Sequence, residues 1–158
     1  MPSGMDLLGT VSSGLGRAHV FMAQPHYQEQ FQKVLGKTAW PGTLNVTVDP
    51  DMLSAYIALR QKAGIDTLDA PAAAREAAKN CDVSEYERIR IRGFLRDGVS
   101  FGGASAFKGH ITNGEDTIEC ALLIPDLTRH MDVIEVISIH FLRETLGVND
   151  GDRITLSL

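Results

Sequence analysis

Three stretches of this chain carry residue types that could do chemistry. Ser13-Gly14-Leu15-Gly16-Arg17-Ala18-His19 sets two glycines at two-residue spacing. That spacing lets successive backbone N–H groups point into one concavity, the geometry of an anion-binding nest; the plainer reading is a hairpin loop. Pro41-Gly42 sets a turn, and Leu44, Val46 and Val48 alternate behind it as a half-buried strand begins. Side chains on a strand repeat every second residue, so Thr43 and Asn45 share the face opposite the apolar one. In Thr128-Arg129-His130-Met131-Asp132-Val133-Ile134-Glu135-Val136-Ile137, Glu135 interrupts an apolar run. Alternation leaves its face undecided, and the rarity of unpaired buried carboxylates favours the wet side. A nest, a Thr/Asn pair and a late Asp/Glu pair are the parts of a Mg²⁺-dependent phosphoryl transfer as much as of anything else.

Other chemistries find no support in the spacing. There is no Gly-x-x-x-x-Gly-Lys-Ser/Thr loop and no Gly-x-Ser-x-Gly elbow. His19, His26, His110, His130 and His140 form no i, i+4 zinc pair with a glutamate, and Cys81 and Cys120 make neither a metal motif nor a disulfide framework. A formal charge of -5 and a pI near 5.5 argue against nucleic acid and for a small partner. The longest apolar run, Cys120 to Pro125, is far below the ~20 residues that cross a bilayer, and no signal-peptide pattern opens the chain. The expectation is a soluble, reduced, cytoplasmic protein.

The elements that must position these residues fit one domain over residues 1–158. Leu7 to Val11, the glycine loop, then Val20-Phe21-Met22 read as strand, loop, strand. Tyr27, Phe31, Val34 and Leu35 follow Pro25 at helical spacing, and Gly36 is a stop. Trp40, the lone tryptophan, reads either as a lid over a ligand or as a half-buried anchor. Asp49-Pro50-Asp51 opens a helix through Leu53, Tyr56, Ile57 and Arg60 to Gly64, and Asp69-Ala70-Pro71 opens the alanine-rich Ala72 to Lys79, a helix with little to bury and so an appendage. Ile89, Ile91, Gly93 and Leu95 alternate against Arg88, Arg90 and Arg92, a strand whose charged face is either solvated or holds phosphates. Turns at Asp97-Gly98 and Asn113-Gly114 separate further strands, with Thr117 to Ile124 mostly apolar. Gly147 stops a short helix after His140, and Ile154, Leu156 and Leu158 form a last strand. Many short strands with turns between them predict a sandwich or barrel.

In this order the motifs resemble the archaeal-type CTP-dependent riboflavin kinases, a small-barrel family. The matching residues are Gly9-x-Val11-x-Ser13-Gly14-Leu15-Gly16; Tyr27 and Phe31 with Leu35-Gly36; Pro41-Gly42-Thr43-Leu44-Asn45; Phe101-Gly102-Gly103; Ala121 to Pro125 with Thr128-x-His130; Ile134-Glu135-Val136-Ile137; and Leu142-Arg143-Glu144 with Leu146-x-Val148-x-Asp150-Gly151-Asp152. The resemblance implies a mainly β fold, a six-stranded cradle-loop barrel with a few helices and an insertion at about 52–86. It implies transfer of the terminal phosphate of CTP to the 5′-hydroxyl of riboflavin, giving FMN and CDP. Carried over by position, Gly14, Leu15, Gly16, Arg17, Ala18 and His19, with His140, Phe141, Leu142 and Arg143, would hold the nucleotide. Thr43 and Asn45 would bind Mg²⁺, Thr128 and Glu135 would contact the flavin, and Glu135 would be the catalytic carboxylate. The chain departs from the family at Ser138-Ile139, where a small residue and proline are usual, and at His140-Phe141, which are unusual there too; both bear on nucleotide preference.

Two other readings fit parts of the sequence. A flavin- or nucleotide-binding barrel without transferase activity would use the same site. A DNA-binding regulator of related barrel shape would share the ending Leu146 to Leu156, against which stands the acidic charge.

Overall fold

The structure, a computed structural model, describes residues 5–14, 18–128 and 130–158, with the side chain of His19 left out. Along the chain run β1 (Asp6–Ser12), α1 (Ala18–Met22), α2 (Pro25–Leu35), β2 (Leu44–Val48), a 3₁₀ turn (Pro50–Met52) into α3 (Leu53–Lys62), α4 (Ala72–Ala78), β3 (Ile89–Ile91), β4 (Phe94–Arg96), β5 (Val99–Phe101), β6 (Ala104–Thr112), β7 (Thr117–Pro125), β8 (Val133–Ile137), α5 (Leu142–Leu146) and β9 (Arg153–Ser157). The strands pair in the order β6-β7-β8-β2-β1-β9, and β9 returns to β6 through His110–Ser157, Ile111–Leu156 and Thr112–Thr155. The result is the expected mainly β fold, a closed six-stranded antiparallel barrel.

Alternation fills the barrel. Leu7, Val11, Val46, Ile111, Leu122, Ile134 and Leu156 are buried in one cluster, with Tyr56 and Leu59 of α3 and Leu142 and Leu146 of α5 packed into it. Each such aliphatic side chain contributes roughly 1.5–3 kcal/mol through lost contact with water. A second cluster lies outside the barrel. There Tyr27, Phe31 and Val34 of α2 cover Ile91, Ala106, Ala121, Leu123 and Ile137, so β7 is buried on both faces. That explains why β7 reads as a continuous apolar run rather than an alternation.

Three expectations change. Val20-Phe21-Met22 is not a strand but part of α1; Ala18 and Met22, four apart, pack on the second cluster, while Val20 faces solvent and Phe21, half exposed, lies edge-on to Phe101. The arginine-rich strand ends at Ile91, because Gln30 takes over the backbone of Arg92. Its amide accepts from Arg92 N–H at 2.6 Å and donates to Arg92 C=O at 2.9 Å, pairings a neighbouring strand would otherwise make. Beyond it the β4–β5 hairpin turns at Asp97-Gly98 and leaves Leu95 73% exposed. Finally, α4 is no loose appendage. Its small side chains allow close approach to α3, where Ala70 and Ala78 are buried with Ile57 and Ala58.

Helix α3 also reaches the strand that matters most. Arg60, 1% exposed, donates from Nη1 to the His130 carbonyl at 2.9 Å, and the Tyr56 hydroxyl donates to the Val133 carbonyl at 3.0 Å. Together they fix the backbone that enters β8.

Barrel closure depends on the absence of one side chain. A Cβ at Gly109 would lie 2.5 Å from the Ser157 carbonyl oxygen across the β6–β9 seam. Gly109→Ala is therefore expected to lower stability by about 1–3 kcal/mol, the usual cost of overpacking, measured by urea denaturation. An unchanged midpoint would mean the seam adapts freely.

Candidate functional site

On β8, Ile134 and Val136 point into the barrel, which sends Glu135 to the outer face. Register places it between Asn45 of β2 and Leu123 of β7. Because α1, α2 and the β4–β5 hairpin stand over this part of the outer face, Glu135 is half-buried rather than solvated, a correction to the wet-side expectation. It sits in an apolar cleft of about 380 Å³ whose walls include Phe21, Tyr27, Phe31, Phe101 and Leu127. The Tyr27 hydroxyl donates to the Gly102 carbonyl at 2.5 Å, and Phe94 stacks on Phe101 with ring centroids 4.6 Å apart, so the wall is tied to α2. Flat aromatic walls around a few polar atoms suit a planar, largely apolar ligand.

Thr43 and Asn45 meet at the polar edge of this cleft. The Thr43 hydroxyl donates to Asn45 Oδ1 at 3.1 Å and lies beside the Glu135 carboxyl in the cleft lining. Burial raises the Glu135 carboxyl above the ordinary glutamate value, while nearby His130 and the Thr43 hydroxyl pull it back down. Among the described residues no three His, Cys, Asp or Glu side chains cluster to hold a metal. Two neutral oxygens beside one carboxylate fit a hard cation that keeps most of its waters and draws its negative charge from phosphates, which is how Mg²⁺ is usually bound.

Thr43 also lines a second, small pocket of about 60 Å³, with Trp40, Ser138, His140, Phe141 and Arg143. Arg143 donates from Nη2 to Asp150 Oδ1 at 2.6 Å and to the Ser12 carbonyl at 3.3 Å, and the Ser13 hydroxyl donates to the other oxygen of Asp150. The Ser13 and Arg143 contacts hold Asp150 below the usual carboxylate range. Gly14 packs so tightly that a Cβ there would lie 2.4 Å from Asn45 Nδ2. The start of the glycine loop, the Thr/Asn pair and Arg143 thus converge at one end of the barrel.

Of the residues singled out from sequence, Gly14, Thr43, Asn45, Glu135, His140, Phe141, Leu142 and Arg143 come together here, and Ala18 opens α1 over the cleft. Leu15, Gly16, Arg17 and the side chain of His19 lie outside the described residues. Thr128 is not part of the cleft lining; it follows Leu127 and accepts a hydrogen bond from the His130 N–H at 3.4 Å. Arg90 is ion-paired with Asp126 at 2.6 Å and lines neither pocket. Sequence reasoning matches Asp150 to the family pattern but assigns it no role, and its part as the link between loop and helix emerges only from the Ser13 and Arg143 contacts. The sequence reading misses Phe21, whose place over the cleft follows from α1 being a helix. A larger groove of about 650 Å³ shares only His140 with these pockets. No helix among the described residues is long and apolar enough to cross a membrane.

The sequence matches a known family. A family profile labelled CTP-dep_RFKase, with the description "Domain of unknown function DUF120", matches residues 11–71 and 66–158. The chain belongs to this family. It is 33% identical over 152 residues to a riboflavin kinase of Thermoplasma acidophilum, covering 96% of this chain and 56% of the relative. A riboflavin kinase of Methanoculleus marisnigri is 35% identical over 156 residues, with 98% and 58% covered, and one of Pyrobaculum islandicum is 33% identical over 153 residues, with 96% and 59% covered. The chain therefore spans a little over half the length of these relatives.

The raised Glu135 carboxyl has a consequence for stability. Between the ordinary glutamate value and its own, the folded state binds more protons than the unfolded chain, so stability falls as pH rises through that interval. Glu135→Gln removes this loss. In metal-free protein the variant is expected to gain on the parent as pH goes from about 4 to about 7.5, by urea midpoints at each pH. A gain that shrinks with rising pH would show that Glu135 is stabilised in its charged form.

Proposed function

We propose that this chain is a CTP-dependent riboflavin kinase, moving the terminal phosphate of CTP to the 5′-hydroxyl of riboflavin to give FMN and CDP. The observation that carries the reading is Thr43. It lines the aromatic cleft beside Glu135 and also lines the pocket that holds Arg143. Family membership supplies the reaction class, and the aromatic cleft has the shape and polarity an isoalloxazine ring needs. The acidic charge speaks for small-molecule substrates over nucleic acid.

Riboflavin enters the cleft with its ring against the aromatic wall and its ribityl chain toward Glu135. The Glu135 carboxylate accepts the proton of the 5′-hydroxyl as that oxygen bonds to the γ-phosphorus of CTP, and the bond from the γ-phosphorus to the β,γ-bridging oxygen breaks to release CDP. A carboxyl raised by burial is a better proton acceptor than an ordinary one, which suits general-base work near neutral pH. Arg143, oriented by Asp150, offers charge to the polyphosphate while the Gly14 turn brings backbone beside Asn45. Thr43 Oγ1 and Asn45 Oδ1 would hold Mg²⁺, which when bound neutralises charge on the phosphates. The rest of the catalysis is positioning.

The deciding experiment mixes the purified protein with riboflavin, Mg²⁺ and each of CTP, ATP, GTP and UTP, and follows FMN by chromatography. FMN with CTP is expected; no FMN with any nucleotide overturns the reading. Glu135→Gln is expected to lower kcat by roughly 10²–10⁴-fold, the range for a lost general base, and near-full turnover would remove Glu135 from that role. Thr43→Val or Asn45→Leu is expected to raise the Mg²⁺ concentration for half-maximal turnover at least about tenfold while leaving the circular-dichroism melt in place. Should either variant unfold the protein, the pair is structural.

A further inference from the structure

Beyond the residues that handle phosphate and flavin, one pair of side chains has no structural task that accounts for it. Trp40 and Phe141 stack on each other with ring centroids 4.8 Å apart and planes 17° from parallel, yet they remain 44% and 39% exposed. Two large rings kept half in water forgo much of the burial that would stabilise a core. Their backbone is nevertheless fixed. The Trp40 N–H donates to the Ser138 carbonyl at 2.8 Å, the Ser138 hydroxyl donates to the Glu119 carbonyl at 3.1 Å, and the His140 N–H donates to that hydroxyl at 3.2 Å. Phe141 sits at the N-cap of α5, two residues before Arg143, which completes the same pocket.

We infer that the Trp40–Phe141 pair is the platform on which the nucleobase of the phosphate donor stacks, an inference that rests on the kinase reading above. The pocket beneath, about 60 Å³, has room for a few waters and not for a heterocycle, so a base joined to phosphates at Arg143 and Thr43 must lie across its mouth. There the exposed rings supply the apolar surface. Stacking on aromatic faces holds a base without reading its edge, because every base has a π-face. The pair therefore supplies affinity for nucleotides as a class, and selectivity among bases comes from other contacts.

Because Trp40 is the lone tryptophan, its emission reports on this site alone. CTP with Mg²⁺, in the absence of riboflavin, is expected to quench that emission saturably, and ATP likewise, whereas inorganic tripolyphosphate with Mg²⁺ leaves it unchanged. No quenching by any nucleotide, or equal quenching by tripolyphosphate, overturns the platform. Phe141→Ala, which keeps the reporter, is expected to weaken CTP and ATP binding by a similar factor of roughly ten, in the range for one lost base–aromatic contact. In steady-state assays Trp40→Ala raises KM for the nucleotide by a similar factor and leaves KM for riboflavin within about twofold, while Trp40→Phe restores most of the loss. A Trp40→Ala enzyme with parental KM for nucleotide sinks the inference even if FMN is made. Saturable quenching without FMN formation sinks the kinase reading and leaves the platform standing.

Discussion

Strand β6 is asked to do two things along its nine residues. Its far end, His110 to Thr112, closes the barrel on β9, and its near end, Ala104 to Ala106, pairs with β3 along the same edge. One edge cannot serve both partners at the same place, so the chain before β6 is pushed off the barrel wall and out into the β4–β5 hairpin. That displaced hairpin, with α1 and α2, encloses the aromatic cleft. Closing the sheet and making room for a ligand are consequences of the same division of one strand edge.

The same geometry decides the environment of Glu135. A strand in a small barrel normally has one dry face and one wet one. Here α2 covers the outer face of β7 and β8, so the outward side of β8 lies at a border between packed apolar surface and the cleft. The carboxyl is desolvated enough to hold its proton more tightly, yet remains beside the Thr43 hydroxyl and near His130. Helix α3 steadies this arrangement from below through Arg60 and Tyr56, which hold the backbone from His130 to Val133.

Much of this is legible in the residues themselves. The period-2 pattern of Leu44, Val46 and Val48 puts Thr43 and Asn45 on one side, and they are found there, in contact with each other. The face of Glu135 is not legible, because both faces of its strand are covered and Val-Ile-Glu-Val-Ile is apolar either way. Helix α1 is hidden for another reason: five residues with Val20 and Phe21 at the centre carry too few turns to show a helical period. Arg60 is hidden most deeply. An arginine on a helix is ordinarily solvated, and the carbonyl that accepts from its Nη1 belongs to His130, 70 residues further along. Glycine-loop spacing suggests an anion nest, but that Gly14 abuts Asn45 depends on a β1–β2 register that only pairing fixes, Ser12 lying opposite Asn45.

The β4–β5 hairpin has a different standing from the barrel it leans on. It is a separate two-stranded sheet, and its tip carries Leu95 and Val99 exposed to water. Two strands alone are barely stable, so its order is borrowed from the Phe94 and Phe101 contacts with His26, Tyr27 and Phe21. The free energy needed to open it is a local quantity, far below that of unfolding the barrel, and backbone amides of residues 94–101 are accordingly expected among the fastest to exchange with solvent in any strand of the fold. A planar ligand that fills the cleft adds contacts to Phe101 and so stabilises the least stable wall of its own site.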